Sequence, residues 1–210
     1  MTRILIADDH ELMRRGLRDI LTEFFPDAAV AEAADARQTL AALEKQTCDI
    51  VLLDINMPGR SGIDALQDLK RLYPGMPVIV LSAFAERDYA VRVFKLGASG
   101  YVSKQSASGE LIAAIRKALA GGRYVTPLLA EALAATVAGE APAAPHETLS
   151  HRELQVLRMV ALGKTLKEIA GDLSLSEKTI GTYRARISQK LALNTNVELA
   201  RYATRHGLVD

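Results

Sequence analysis

Apolar residues gather in short runs along the first half of the chain: Ile4-Leu5-Ile6-Ala7, residues 29–33, Ile50-Val51-Leu52-Leu53, Val78-Ile79-Val80-Leu81 and Gly100-Tyr101-Val102-Ser103. Each is the length of a buried strand. Between them the apolar positions recur at helical spacing, which predicts helices near 10–24, 35–46, 61–73, 86–97 and 108–120. The first helix carries a stripe of Leu12, Met13, Leu17, Ile20, Leu21 and Phe24, and the fifth one of Leu111, Ile112, Ile115 and Leu119. Strands alternating with helices must be parallel and joined by crossovers, so residues 1–124 read as a (βα)5 doubly wound α/β domain. Gly121-Gly122 closes it.

The pattern then changes. Residues 125–146 read as a linker: 127–137 are apolar and Ala-rich enough for a short helix, and Gly139 to His146, with Pro142 and Pro145, suits a flexible or extended segment. From residue 147 to 210 the punctuation is that of helix starts. Ser150-x-x-Glu153, Thr165-x-x-Glu168 and Thr195-x-x-Glu198 are capping boxes, Ser176 is a plain cap, and Leu149 with Leu154 can form a hydrophobic staple. Four helices follow, near 151–162, 166–173, 177–191 and 196–206, with a tight turn at 174–176. A small all-α domain containing helix–short turn–helix is the geometry that lays a helix in the DNA major groove.

Composition adds bounds. The chain has 210 residues, 49% of them hydrophobic, enough for two small cores. No apolar run approaches the about 20 residues that span a bilayer, and the N-terminus reaches Asp8 before any long apolar stretch develops. The single Cys48 has no disulfide partner within the chain and is expected only to pack. A cytoplasmic protein without a membrane partner is the expectation. The net charge of +1 conceals an asymmetry: sixteen acidic and sixteen basic side chains balance in residues 1–124, whereas 147–210 carry ten basic against seven acidic.

The candidate chemistry sits where strands run out. Asp8 and Asp9 follow the first strand, Asp54 closes the third, Ser82 the fourth, and Lys104 follows the fifth. Ligands of an open parallel sheet bind beyond these ends, so three carboxylates, a hydroxyl and an ammonium should meet in one cleft. Crowded carboxylates repel, and a hard divalent cation such as Mg²⁺ relieves that. Asp9 and Asp54 are the expected direct ligands, Asp8 acts through water, and the Asn56 carbonyl is a further candidate. Asp54 keeps an oxygen free to attack phosphorus, Lys104 can neutralise a phosphoryl oxygen, and Ser82 can donate a hydrogen bond to another. Taken singly, an Asp after a strand, Asp8-Asp9 included, could be only a helix cap or turn former, and a Ser or Lys at a strand end need have no role.

In the second half, the helix 177–191 gathers Ile180, Ile187 and Leu191 on one side and Lys178, Thr182, Ala185 and Gln189 on the other, with Arg186 at the edge. Small and polar residues flanked by bases suit close approach to base edges and phosphates. Gly181, Arg184, Lys164 and Thr165 complete the candidate DNA-contacting set. Gly163-Lys164-Thr165 imitates the end of a P-loop, but Arg158 stands where that motif needs Gly and the segment joins two helices.

Residues 1–124 resemble the receiver domain of bacterial response regulators, through Asp54-Ile55-Asn56-Met57-Pro58-Gly59, Ser61-Gly62 and Gly97-Ala98-Ser99-Gly100-Tyr101. Residues 147–210 resemble the LuxR-type helix-turn-helix, through Leu149-Ser150-x-Arg152-Glu153-x-x-Val156-Leu157, Lys167-Glu168-Ile169-Ala170 and Ser176-x-Lys178-Thr179-Ile180. The whole resembles a NarL/FixJ-family two-component response regulator. That resemblance implies a transcription factor rather than an enzyme, although the receiver can promote its own phosphorylation and dephosphorylation. It implies a sensor histidine kinase as phosphoryl donor to Asp54, Tyr101 as a switch residue coupled to Ser82, double-stranded operator DNA as ligand, and a homodimer when active. Departures from the family pattern are Gln105 after Lys104, where a Pro preceded by a cis bond is common, Gly181 for a frequent Lys, Tyr183 for a usual His, and Asn194 and Asn196 for frequent bases. Fewer phosphate contacts are therefore expected. Two alternatives stay open: an aspartyl-phosphate enzyme such as a phosphatase of the haloacid dehalogenase type, which needs Asp-x-Asp after its first strand where this chain has adjacent Asp8-Asp9, and a constitutive DNA binder with a vestigial receiver.

Overall fold

The computed structural model describes residues 1–57, 62–82, 86–138 and 144–209, with the backbone alone at 86–89, 128, 132, 135–138 and 147. Pro58, Gly59 and Ser61 of the loop quoted above, and Gly139 and Pro142 of the expected linker, lie outside the described residues. The chain forms two compact units, Met1–Glu140 and Ala141–Asp210.

The first unit is a five-stranded parallel sheet of order β2-β1-β3-β4-β5, with β1 Arg3–Ala7, β2 Ala29–Ala33, β3 Ile50–Asp54, β4 Val78–Ser82 and β5 Gly100–Ser103. Helices α1 Glu11–Phe24, α2 Ala36–Lys45, α3 Gly62–Leu72, α4 Glu86–Lys95 and α5 Ser108–Leu119 link and follow the strands. β3 and β4 are buried at every residue, as continuous apolar runs in a sheet covered on both faces should be. The order reverses direction between β1 and β3, so the crevice opens above the ends of those two strands. One layer of the core joins Leu17 and Leu21 of α1 to Ile4, Ile6, Ile50, Leu52, Ile79 and Leu81 of the sheet and to Leu111, Ile112 and Ile115 of α5.

The α1 stripe is narrower than its sequence suggests. Leu17 and Leu21 are buried and Met13 and Ile20 pack partly against the core, but Leu12 is 84% and Phe24 39% exposed. After α5 the chain turns at Gly121, whose φ of +80° is the left-handed region, and returns to the sheet. There the Tyr124 N–H donates to the Ser99 carbonyl at 2.8 Å. Helix α6, Pro127–Ala138, then packs against α4.

The second unit has a 3₁₀ turn, Pro145–Thr148, and helices α7 His151–Ala161, α8 Leu166–Asp172, α9 Glu177–Leu191 and α10 Asn196–Arg205. All three capping boxes form, at Ser150/Glu153, Thr165/Glu168 and Thr195/Glu198, and Ser176 caps α9 by accepting from the Thr179 N–H. Leu149 and Leu154, the staple pair, are both buried. The tight turn between α8 and α9 passes through Ser174 at φ +53°. α7 packs on α9 and α10, and α8 on α9. Among the described residues no helix is long and apolar enough to cross a membrane.

Candidate phosphoryl and DNA-binding sites

The sheet brings the strand-end residues together. Asp8 and Asp54 are fully buried, and Asp9 is close by. The Lys104 ammonium bridges them, 2.6 Å from Asp8 Oδ2 and 3.0 Å from Asp54 Oδ2. Register explains the convergence: Asp54 lies opposite Leu81, Ser82 opposite Ser103, and the Lys104 N–H donates to the Ser82 carbonyl at 2.7 Å. Ser82 is buried at the end of β4, and Tyr101, paired with Val80, is buried in β5. The Asn56 N–H donates to Asp54 Oδ1 at 3.0 Å, so the chain after β3 folds back over its own carboxylate. No cis peptide bond occurs among the described residues, so Lys104-Gln105 is trans.

Charge is crowded in the pocket. Burial, reinforced by the Asp8 charge, pushes the Asp54 carboxyl above its ordinary range despite Lys104. Burial pulls the Lys104 ammonium down, but the Asp54 and Asp8 charges outweigh it and hold it above its usual value. Asp8 Oδ2 and Asp54 Oδ2 are buried and face the Lys104 ammonium, and buried Asp9 Oδ1 faces the His10 ring nitrogen. One carboxylate oxygen from each of Asp8, Asp9 and Asp54 and a ring nitrogen of His10 lie within 4.8 Å of one another, and the three oxygens suit a hard divalent cation.

Three neighbours were not anticipated from the sequence. His10 joins the cluster, with Nδ1 2.8 Å from Asp9 Oδ1 and 3.4 Å from Asp8 Oδ1. Its N–H donates to Asp8 Oδ1 at 2.8 Å, so Asp8 also fills the turn-former role. Arg14 reaches the Asp8 carbonyl. Gly62 is pressed against β3: a Cβ there would lie 2.1 Å from the Asp54 carbonyl oxygen. Only the His10 contact had a local sequence signal, its adjacency to the acid pair. Cys48, half-buried in the β3 approach, has its thiol pushed up by burial and then by Asp49, as suits a packed rather than a reactive sulfur.

In the second unit Ile180, Ile187 and Leu191 of α9 are buried, and Lys178, Thr182, Ala185, Arg186 and Gln189 form an exposed face. A shallow hollow of about 300 Å³ between Lys178, Thr182, Tyr183 and Arg186 is part of it. Space beyond Gly181 is open. Other members of the candidate set point elsewhere. The Arg184 guanidinium braces the start of α10, with Nε donating to Asn196 Oδ1 at 2.8 Å and Nη2 to the Asn194 carbonyl at 3.3 Å. Lys164 pairs with Asp172 at 2.6 Å, and the Thr165 hydroxyl is committed to its capping box. Lys190, last of the basic run in this helix, is tied to Glu153 at 2.6 Å and to the Thr148 carbonyl at 3.1 Å.

Comparison with known proteins agrees with this division of labour. Residues 4–116 match the response regulator receiver domain, and 147–203 match the bacterial regulatory proteins of the luxR family. The chain is 36% identical over 211 residues to the response regulator GacA of Pseudomonas aeruginosa, covering 100% of this chain and 99% of the relative. It is 36% identical to the response regulator UvrY of Escherichia coli, covering 100% and 97%. Among solved structures, RcsB from Salmonella enterica serovar Typhimurium, bound to promoter rprA in the presence of the phosphomimetic BeF3−, is 29% identical with a TM-score of 0.64 over 97% of this chain and 99% of that one. A further RcsB–DNA complex gives 28% identity and a TM-score of 0.58, covering 97% and 98%.

Proposed function

The chain belongs to the two-component response regulators of the NarL/FixJ family, DNA-binding transcription factors regulated by phosphorylation, and on that premise we propose which of its residues run the switch. The observation that carries the reading is the Lys104 ammonium shared by Asp8 and Asp54 beside Asp9, at the crevice between β1 and β3.

Asp54 is the acceptor: a carboxylate oxygen attacks the phosphorus of a sensor kinase's phosphohistidine, the P–N bond breaks, and the imidazole leaves with the electron pair. Asp8, Asp9 and Asp54, with the Asn56 carbonyl, would hold Mg²⁺, which supplies charge neutralisation for the incoming phosphoryl group. Lys104, already between two carboxylates, moves to a phosphoryl oxygen, and Ser82 donates to another; this is positioning and electrostatics without a general base. The same residues can draw the group from a small phosphodonor and later let water remove it. Ser82 shifting toward the phosphoryl group opens space beside Tyr101, whose buried ring then has a second rotamer available. That couples the pocket to the α4–β5–α5 surface, a bistable element of the kind such switches require.

The output is dimerisation and operator binding. One RcsB structure holds promoter rprA, and another holds two dimers on two parallel DNAs. By that likeness α9 would enter the major groove with Lys178, Thr182, Ala185, Arg186 and Gln189 leading. Arg184 and Lys164 serve chiefly as internal braces, with Gly181 leaving clearance.

Incubation of the whole protein with acetyl phosphate and Mg²⁺, followed by intact-mass measurement and peptide mapping, tests the assignment. One phosphoryl group on Asp54 is expected, lost in Asp54→Ala and on chelation. An unmodified Asp54 in folded, Mg²⁺-supplied protein contradicts it.

A further inference from the structure

The carboxylates that would receive the cation stand on the turn between β1 and α1, and among the described residues four hydrogen bonds hold that turn. The Asp8 N–H donates to the Ala33 carbonyl of β2 at 3.1 Å, and the Arg14 N–H donates to the His10 carbonyl at 3.1 Å. The His10 N–H donates to Asp8 Oδ1. The fourth comes from a side chain: Arg14 Nη1 donates to the Asp8 carbonyl at 2.8 Å. The same guanidinium uses Nε on Glu32 Oε2 at 3.0 Å, and Arg18 takes the other oxygen of Glu32. Glu32 lies on the edge strand β2, opposite Ile6.

We propose that Arg14, seated on Glu32, is a positioning residue for the cation site: its fork fixes the Asp8 carbonyl and thereby the direction in which the Asp8 and Asp9 carboxylates face. This deepens the reading of the pocket as a cation and phosphoryl site and rests on it. Three features separate the contact from an ordinary surface ion pair. It is sheltered, with Arg14 15% and Glu32 25% exposed. It ends on the backbone of a residue whose own carboxylate meets Lys104. And it uses two directed donors of one planar group, which a lysine cannot reproduce. Groups that orient metal ligands without touching the metal typically change its affinity about 10–100-fold when removed.

The test compares the full chain with Arg14→Gln, Arg14→Lys and Glu32→Gln. Mg²⁺ affinity is measured by calorimetry, phosphorylation rate by its dependence on Mg²⁺ with acetyl phosphate, and folding by metal-free thermal melting. Arg14→Gln should weaken Mg²⁺ binding about 10-fold, Arg14→Lys should recover only part of that, and Glu32→Gln should weaken it by a smaller factor. The phosphorylation rate at saturating Mg²⁺ should stay within about twofold of wild type, because Asp54, Ser82 and Lys104 are untouched; a residue acting on the reaction itself would lower that limiting rate. A folded Arg14→Gln with unchanged Mg²⁺ affinity overturns the proposal, as does full recovery by Arg14→Lys, which would reduce the contact to its charge. Should Arg14→Gln fail to fold, Arg14→Lys and Glu32→Gln decide by the same criteria. A wild-type protein that neither binds Mg²⁺ nor accepts a phosphoryl group would instead overturn the pocket reading beneath it.

Discussion

Single residues in the pocket are placed at the expense of the fold that holds them. Asp54 is fully buried, and its charge is opposed first by burial and then by Asp8. A carboxyl raised in the folded state makes the folded form poorer at neutral pH than its neutral isostere would be. Asp54→Asn should therefore raise the metal-free thermal stability of the first unit by about 1 kcal/mol, while Lys104 keeps Asp8 as partner. Mg²⁺ should raise the melting temperature of the wild type more than that of the variant. A destabilised variant would show that the Lys104 pair outweighs the burial penalty. The strand-end residues were legible in the sequence because each ends an apolar run, and strand direction alone sends them to one pole. Arg14 and Glu32 were not legible: they are 18 residues apart, and only the lateral pairing of β2 with β1 brings them together. Leu12 and Phe24 were misread because helical periodicity locates a face without telling how wide a strip the sheet covers.

Helices of the second unit were legible at both ends because their caps are local chemistry. The boxes at Ser150, Thr165 and Thr195 each need only residues three apart. Their glutamates carry a measurable consequence. Burial works against ionised Glu153, but the hydrogen bonds from Lys190 and the Ser150 N–H outweigh it and hold it below its ordinary value. Hydrogen bonds from Thr165 hold Glu168 low, and those from Thr195 and Asn194 hold Glu198 low. Carboxylates depressed in the folded state bind fewer protons there, so their contribution is present above the ordinary glutamate range and lost as pH falls through the depressed values. Protection of the amides of α7, α8 and α10, taken as exchange relative to the intrinsic rate at each pH, should fall over that acid window in the wild type and show a shallower dependence at α8 in Glu168→Gln. An unchanged slope would contradict the assignment. Ser150→Ala should cost about 1 kcal/mol at neutral pH. What local chemistry could not reveal is where the bases point: Arg184 and Lys164 both stand in the candidate DNA-contacting set, yet the first is taken by Asn194 and Asn196 and the second by Asp172.

At the scale of the whole molecule the sequence announces two domains through a change of period, from strand–helix alternation to capped short helices, and the structure has two compact units. The course of 125–146 was less legible. Its apolar helix packs against α4 and its end forms a 3₁₀ turn beside α9, and composition alone does not distinguish a packed Ala-rich helix from a spacer. On the proposed reading, the pocket at one pole of the sheet governs the affinity of α9 for DNA. The most direct test is operator affinity of the full chain at fixed salt, with the site first selected from random duplexes and binding measured with Mg²⁺ in the presence and absence of BeF3−. The account predicts that BeF3− changes wild-type affinity at least about 10-fold, the scale of ordinary allosteric coupling, and leaves Asp54→Ala unchanged. Equal affinities for wild type with and without BeF3−, matching those of Asp54→Ala, would contradict it and leave a DNA binder without a switch.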